Sequence, residues 1–155
     1  MTAAELVTIT KPDDWHLHLR DEIALKTTVP ATSRVFGRAI VMPNLKPPVT
    51  SVKMALNYRS RILEHKTPDS SFNPLMTLFL TDNLDPNEIV SLSNEESVVA
   101  VKYYPAGATT NSDTGVTNIK NVYRVIEKMA ELGVPLLLHG EVTENHIDIF
   151  DREKV

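Results

Sequence analysis

The chain contains no cysteine. Disulfides and thiolate ligands are therefore excluded, and any metal site must use histidine, carboxylate or something less usual. Glycine is scarce, with 5 in 155 residues, and none falls in a G-x-G-x-x-G or P-loop pattern. A phosphate cradle on a glycine-rich turn is thus not encoded. Basic residues are in the minority: 16 Lys and Arg against 20 Asp and Glu give a net charge of -4. That argues against a nucleic-acid surface, which needs a basic face for phosphates. No apolar run is long enough to span a bilayer. Met1-Thr2-Ala3-Ala4-Glu5 lacks the basic start and apolar stretch of a signal peptide. Internal repeats and low-complexity segments are also missing. What is present is an ordinary globular balance, 42% hydrophobic and 23% charged, at a length sufficient for one domain with a hydrophobic core. A cytoplasmic enzyme is the simplest expectation.

Short apolar runs alternate with helical patterns. Leu6 to Ile9, then Trp15 to Leu19, predict a first strand region. Ala39 to Met42 predicts a second, stopped by Pro43, and Pro47-Pro48 keeps the next stretch irregular. Thr50 is the expected N-cap of a helix that carries Val52, Ala55, Leu56, Ile62 and Leu63 on one face. Leu75 to Thr81 predicts a third strand, and a short helix is expected after Asp85-Pro86. Val98 to Val101 predicts a fourth, running on into Lys102 and Tyr103. A polar loop spans Gly107 to Thr117. An amphipathic helix then runs from Ile119 to Leu132, with Gly133 placed to cap it. Val134 to Leu138 is the fifth expected strand, and Asp148 onward the start of a further helix. Such alternation implies βαβ units and a parallel sheet. Pattern alone does not separate an open doubly wound sheet from part of a (β/α)8 barrel, which typically needs about 250 residues.

The placement of polar residues bears on that choice, because barrel enzymes carry their chemistry at the C-terminal ends of strands. His16 and His18 belong to the first strand. Two residues apart, they share one face, roughly 6.5–7 Å from Cα to Cα, and can converge on one ion. An isolated His-x-His is more often a pair on a solvated edge. Lys102 ends the fourth strand. Such a lysine normally reaches solvent, but in a pocket desolvation would favour the neutral amine, which can add carbon dioxide to give a metal-bridging carbamate. His139 closes the fifth strand, beside Gly140. Glu141 is as well suited to a surface salt bridge as to orienting a ligand. His65 and His146 are expected at the surface. Arg20 and Asn44 suit an anionic substrate, since arginine's planar fork matches a carboxylate. The bland alternative for Arg20 is an ion pair with Asp21 or Glu22. Thr109-Thr110-Asn111-Ser112, between Gly107 and Gly115, is either a lid or a solvated loop.

Longer strings narrow these readings. Pro12-Asp13-Asp14-Trp15-His16-Leu17-His18-Leu19-Arg20-Asp21 resembles the opening signature of bacterial-type (class II) dihydroorotases of the amidohydrolase superfamily. The resemblance continues through residues 39–45, 101–106, 108–112, 136–142 and 148–153, and so covers essentially the whole chain. It implies the first five βα units of a TIM-type (β/α)8 barrel, incomplete as given, with residues 1–155 as the N-terminal portion of one barrel domain. It implies two Zn2+ ions: His16 and His18 on one, His139 on the other, and carboxylated Lys102 bridging both. It further implies that His18, Arg20, Asn44, His139, Thr109 and Thr110 contact substrate. The implied reaction is the reversible cyclisation of N-carbamoyl-L-aspartate to L-dihydroorotate in pyrimidine biosynthesis, by a cytoplasmic homodimer. The family's proton-carrying aspartate has no counterpart before Val155, so the segment alone is expected to be inactive and poorly soluble.

Three rivals stand beside this. A hydantoinase-like cyclic amidase would share the histidine pair, but not obviously Met42-Pro43-Asn44 or Thr109-Thr110. A non-catalytic fragment would bind zinc weakly or serve only in assembly. A plain five-stranded ligand-binding domain lacks a supporting phosphate loop.

Overall fold

A computed structural model describes residues 6–154 of the chain. Five strands form one sheet: β1 (Asp13–Leu17), β2 (Arg38–Val41), β3 (Asn73–Phe79), β4 (Val98–Tyr103) and β5 (Leu136–Leu138). Every neighbouring pair is parallel, and the spatial order is the sequence order, β1-β2-β3-β4-β5. A doubly wound sheet reverses its strand order at a switch point. Here the order never reverses, as in the winding of a (β/α)8 barrel. The connections carry α1 (Leu25–Val35), α2 (Val52–Glu64), α3 (Pro86–Ser93) and α4 (Tyr123–Leu132). Among the described residues, no helix is long and apolar enough to cross a membrane.

The core lies between helices and sheet. Val29 of α1, Ala55, Tyr58 and Ile62 of α2, Ile89 and Leu92 of α3, and Val125 and Met129 of α4 are buried with strand residues such as Val41, Leu78 and Val101. Strand side chains alternate between faces. In β4, Val101 and Tyr103 pack with that core, which leaves Ala100 and Lys102 on the opposite face. The alternation that buries β4 therefore also aims Lys102 at the inner side of the curved sheet.

Several local expectations need correction. Strand β1 ends at Leu17, two residues early, and its register with β2 shifts between Asp14 and Leu17. Residues 6–9 form no strand and are exposed, with Leu6 at 92%. Trp15, within β1, is 53% exposed, with the Arg38 guanidinium over its ring. The N-cap of α2 is Ser51, whose hydroxyl accepts from the Met54 N–H at 3.2 Å, and not Thr50. A 3-10 turn, Ile119–Val122, precedes α4. Residues 148–154 form turns and not a helix. Helix α1 carried no clear sequence signal. Its segment is rich in threonine, holds Pro30, and buries the polar Thr32 and Ser33 beside Leu25 and Val29. An interior proline removes a helical hydrogen bond, so packing must stabilise this helix. Other caps follow the sequence: Asp85 caps α3 ahead of Pro86, and Gly133 ends α4 at φ 68°.

Candidate active site at the strand ends

Parallel strands put all their C-terminal ends on one rim. His16 lies in the last turn of β1, and His18 just beyond it. Asn44 follows β2, Lys102 sits near the end of β4, and His139 follows β5. Pairing of Lys102 with Leu137, and a hydrogen bond from the His139 N–H to the Tyr103 carbonyl at 3.0 Å, fix the β4 and β5 groups side by side.

The histidine pair is convergent. The two Nε2 atoms stand 3.2 Å apart, with ring centroids at 5.1 Å. Two nitrogens bound tetrahedrally to one zinc, at about 2.05 Å each, would lie about 3.3 Å apart. The observed spacing fits. Desolvation lowers both imidazole pKa values, reinforced at His16 by the Lys102 charge and at His18 by Arg20 and His16. Both shifts favour the neutral ring, the form in which a ring nitrogen can bind metal.

Lys102 is 3% exposed. Its Nζ donates to the Leu138 carbonyl at 3.1 Å and lies 5.1 Å from the Tyr104 ring centroid. Among the described residues it forms no salt bridge. Burial lowers its pKa, as removal of an ammonium from water must. The pocketed lysine, and not the solvated one, is what the structure contains. His139 shares a hydrogen bond of 2.8 Å between its Nε2 and Glu141 Oε2. The other Glu141 oxygen lies 3.6 Å from the Arg152 guanidinium. The His139 contact, then Arg152, hold the Glu141 carboxyl below the usual range. Glu141 thus contacts both His139 and Arg152.

Arg20 is exposed and without a salt bridge among the described residues. Asp21 pairs instead with Arg61, at 2.6 Å. Both Arg20 and Glu22 have left-handed backbones, φ 61° and 54°, a strain of about 1–3 kcal/mol each. Asn44 is 2% exposed, and its side chain donates to the Thr110 carbonyl at 2.8 Å. In return Asn111 donates to the Asn44 carbonyl at 3.0 Å. The threonine loop thus rests on Asn44, with Thr109 and Thr110 exposed at its tip. Ser112, fully buried, ties the loop to itself by accepting from the Thr109 N–H at 2.9 Å and donating to its carbonyl at 2.6 Å.

Three participants were not singled out in the sequence. Tyr104 is buried, its hydroxyl finds no partner among the described residues, and burial pushes its pKa up to about 12. Two-residue spacing from Lys102 was the available signal. Asn111 was read only as one member of the segment 109–112, and Tyr58 gave no signal. His65 turns its Nδ1 to the Arg61 carbonyl, and His146 is exposed, so both lie outside the cluster as expected. Among the described residues, no three His, Asp or Glu side chains gather closely enough to hold a metal by themselves. The donor set is therefore an imidazole pair, a further imidazole and a buried lysine.

Consecutive parallel βα units with polar groups gathered at the strands' C-terminal ends define the class: a TIM-type barrel architecture, represented here by five units. Within that class the chain is similar to dihydroorotases. It is 62% identical over 146 residues to the dihydroorotase of Hahella chejuensis, which covers 94% of this chain and 42% of that protein. A crystal structure of dihydroorotase from Campylobacter jejuni superposes with a TM-score of 0.82 at 40% identity, covering 93% of this chain and 41% of that one. Dihydroorotase from Saccharomyces cerevisiae, in complex with 5-fluoroorotic acid, superposes at 0.81 with 30% identity, over 92% and 41% of the two chains. No protein-family model matches. The chain thus spans about two-fifths of the length of the proteins it matches, and its resemblance to dihydroorotases, read first from its motifs, runs through nearly all of it.

Proposed function

We propose that this chain supplies one side of a dihydroorotase active site, for the reversible, zinc-dependent cyclisation of N-carbamoyl-L-aspartate to L-dihydroorotate in pyrimidine biosynthesis. The observation that carries the reading is the 3.2 Å convergence of His16 and His18 in a chain 62% identical to a dihydroorotase. Residues 1–155 are assigned to one barrel domain, in an enzyme that is homodimeric and cytoplasmic.

His16 and His18 would hold one zinc and His139 the second. Lys102 would join them once its neutral amine has attacked carbon dioxide, forming an N–C bond and releasing a proton. When bound, zinc would polarise the amide carbonyl and make an activated water available near neutral pH. The chain's own residues bind and orient. Arg20 would fork the substrate carboxylate, and Asn44 would add an amide hydrogen bond. His18 and His139, at the rim, would contact the bound ring. Thr109 and Thr110 would close over it and exclude water. The ligand of the yeast protein, 5-fluoroorotic acid, is a pyrimidine carboxylate, which accords with an arginine at the rim. No residue of this chain is assigned the proton-carrying role, which the family resemblance gives to an aspartate.

The test uses the complete native polypeptide, purified with zinc. Ring opening of dihydroorotate and ring closure of N-carbamoyl-L-aspartate should both proceed, with hydantoin a poor substrate. Turnover of hydantoin in preference to dihydroorotate would refute the assignment.

A further inference from the structure

The chain turns sharply as it leaves β1. Arg20 and Glu22, neither of them glycine, both take left-handed backbone conformations within three residues. In a residue with a side chain, such a conformation persists only where the surroundings over-determine it, and it gathers at ligand clamps. Three contacts do so here. Thr28 Oγ1, on α1, shares its one proton between the Leu19 and Ala24 carbonyls, each at 3.0 Å. The Tyr58 hydroxyl, on α2, donates to the Arg20 carbonyl. The Asp21 carboxylate accepts from the Glu22 N–H at 2.8 Å and from the Arg61 fork at 2.9 and 2.6 Å. Tyr58 is 1% exposed, and the Arg61 guanidinium lies 5.5 Å from its ring centroid. Two helices thus contact consecutive carbonyls on either side of the Arg20 Cα. The Arg20 guanidinium is left exposed and unpaired among the described residues.

We infer that Tyr58 and Thr28 are positioning residues for Arg20, fixing its strained backbone so that the guanidinium meets a substrate carboxylate beside His18. This rests on the proposed function, in which Arg20 grips that carboxylate. Without the hydroxyl anchors, the Arg20 backbone would relax to an ordinary region and its side chain would point elsewhere. The charge would remain, but binding would have to freeze a wandering arginine, and affinity would fall for that reason. The loss should therefore fall on carboxylate recognition, and not on metal retention or the chemical step.

The test compares wild-type full-length enzyme with Tyr58→Phe, which removes only the hydroxyl, and with Thr28→Val. Dissociation constants are measured for orotate and for uracil, the same ring without the carboxylate, together with KM, kcat and zinc content. Expected for Tyr58→Phe is about tenfold weaker orotate binding, a similar rise in KM, and uracil binding, kcat and zinc content within about twofold of wild type. Thr28→Val should shift the same quantities less. Equal loss of orotate and uracil, or loss of zinc, would mean general disruption and overturn the inference. Full retention of orotate affinity in both variants would overturn it while leaving the dihydroorotase reading intact. A wild-type enzyme that neither binds orotate nor opens dihydroorotate would overturn both.

Discussion

At the scale of single residues, the site gathers His16, His18 and Lys102 where burial disfavours the charged form. His16 and His18 are held close enough to share an ion or a proton, and Lys102 is buried without a carboxylate partner among the described residues. Replacing a partner that only orients a ligand typically lowers metal affinity by roughly 10–100-fold. Glu141→Gln, which weakens the grip on His139, should fall within that range. His16→Ala removes a donor and should lose more than about 100-fold, by the same comparison. Zinc titration of the full-length variants against a chromophoric chelator gives both numbers, and equal affinities would contradict the assigned roles. Lys102 and His139 stood out because each follows an apolar run, where a polar side chain needs a reason, and His16 and His18 because their two-residue spacing puts both on one face of a strand. The partners of Asn44 and Arg20 were not legible. They come from Thr110 and Tyr58, 66 and 38 residues away, and no local pattern announces such contacts.

At the scale of elements, loops carry Arg20, Asn44, Thr109 and Thr110, and α2 holds the first of these through Tyr58 and Arg61. Gly115 shows how tight this packing is: a Cβ there would stand 2.4 Å from the Tyr104 carbonyl and 2.9 Å from that of Ser112. Both obstacles are backbone, so Gly115→Ala must shift the threonine loop. Overpacking of this kind costs about 1–3 kcal/mol. A lowered melting temperature together with a raised KM is expected, and an unchanged KM would separate the loop from substrate binding. The Asp21–Arg61 pair that ties β1's exit to α2 gives a pH prediction. Burial alone would raise the Asp21 pKa, but the Arg61 hydrogen bonds, the Glu22 N–H and the Arg61 charge together lower it. A carboxyl depressed in the folded state adds stability above its unfolded pKa, about 4. That stability fades as pH falls through the folded value. Arg61→Gln should therefore be less stable than wild type at pH 7, by about 0.2–1 kcal/mol for a partly exposed pair. The gap should narrow as the pH is lowered from 7 into the acid range and the Asp21 carboxylate takes up its proton. Urea unfolding across that range measures it, and a gap independent of pH would disprove the account.

At the scale of the whole molecule, strand order turns local pattern into function. Alternation of strands and helices was visible in the sequence, but it fits an open sheet as well as a barrel. The unreversed order β1 to β5 separates the two, and strand order depends on pairings that composition does not encode. The same order leaves β1 paired only with β2, and β5 only with β4, among the described residues. Large apolar side chains lie open along these borders, Trp15 at 53% and Leu138 at 63% exposed. An unpaired parallel edge beside exposed apolar surface is a template for association. A polypeptide limited to residues 1–155 should therefore self-associate, and should not open dihydroorotate, because none of its residues is assigned the proton-carrying role. Sedimentation velocity and an activity assay on that segment, beside the full-length protein, decide the matter. A monodisperse monomer would show that these edges are self-sufficient, and turnover would show that a carboxylate within the segment, of which Glu141 is nearest to His139, serves as the proton carrier.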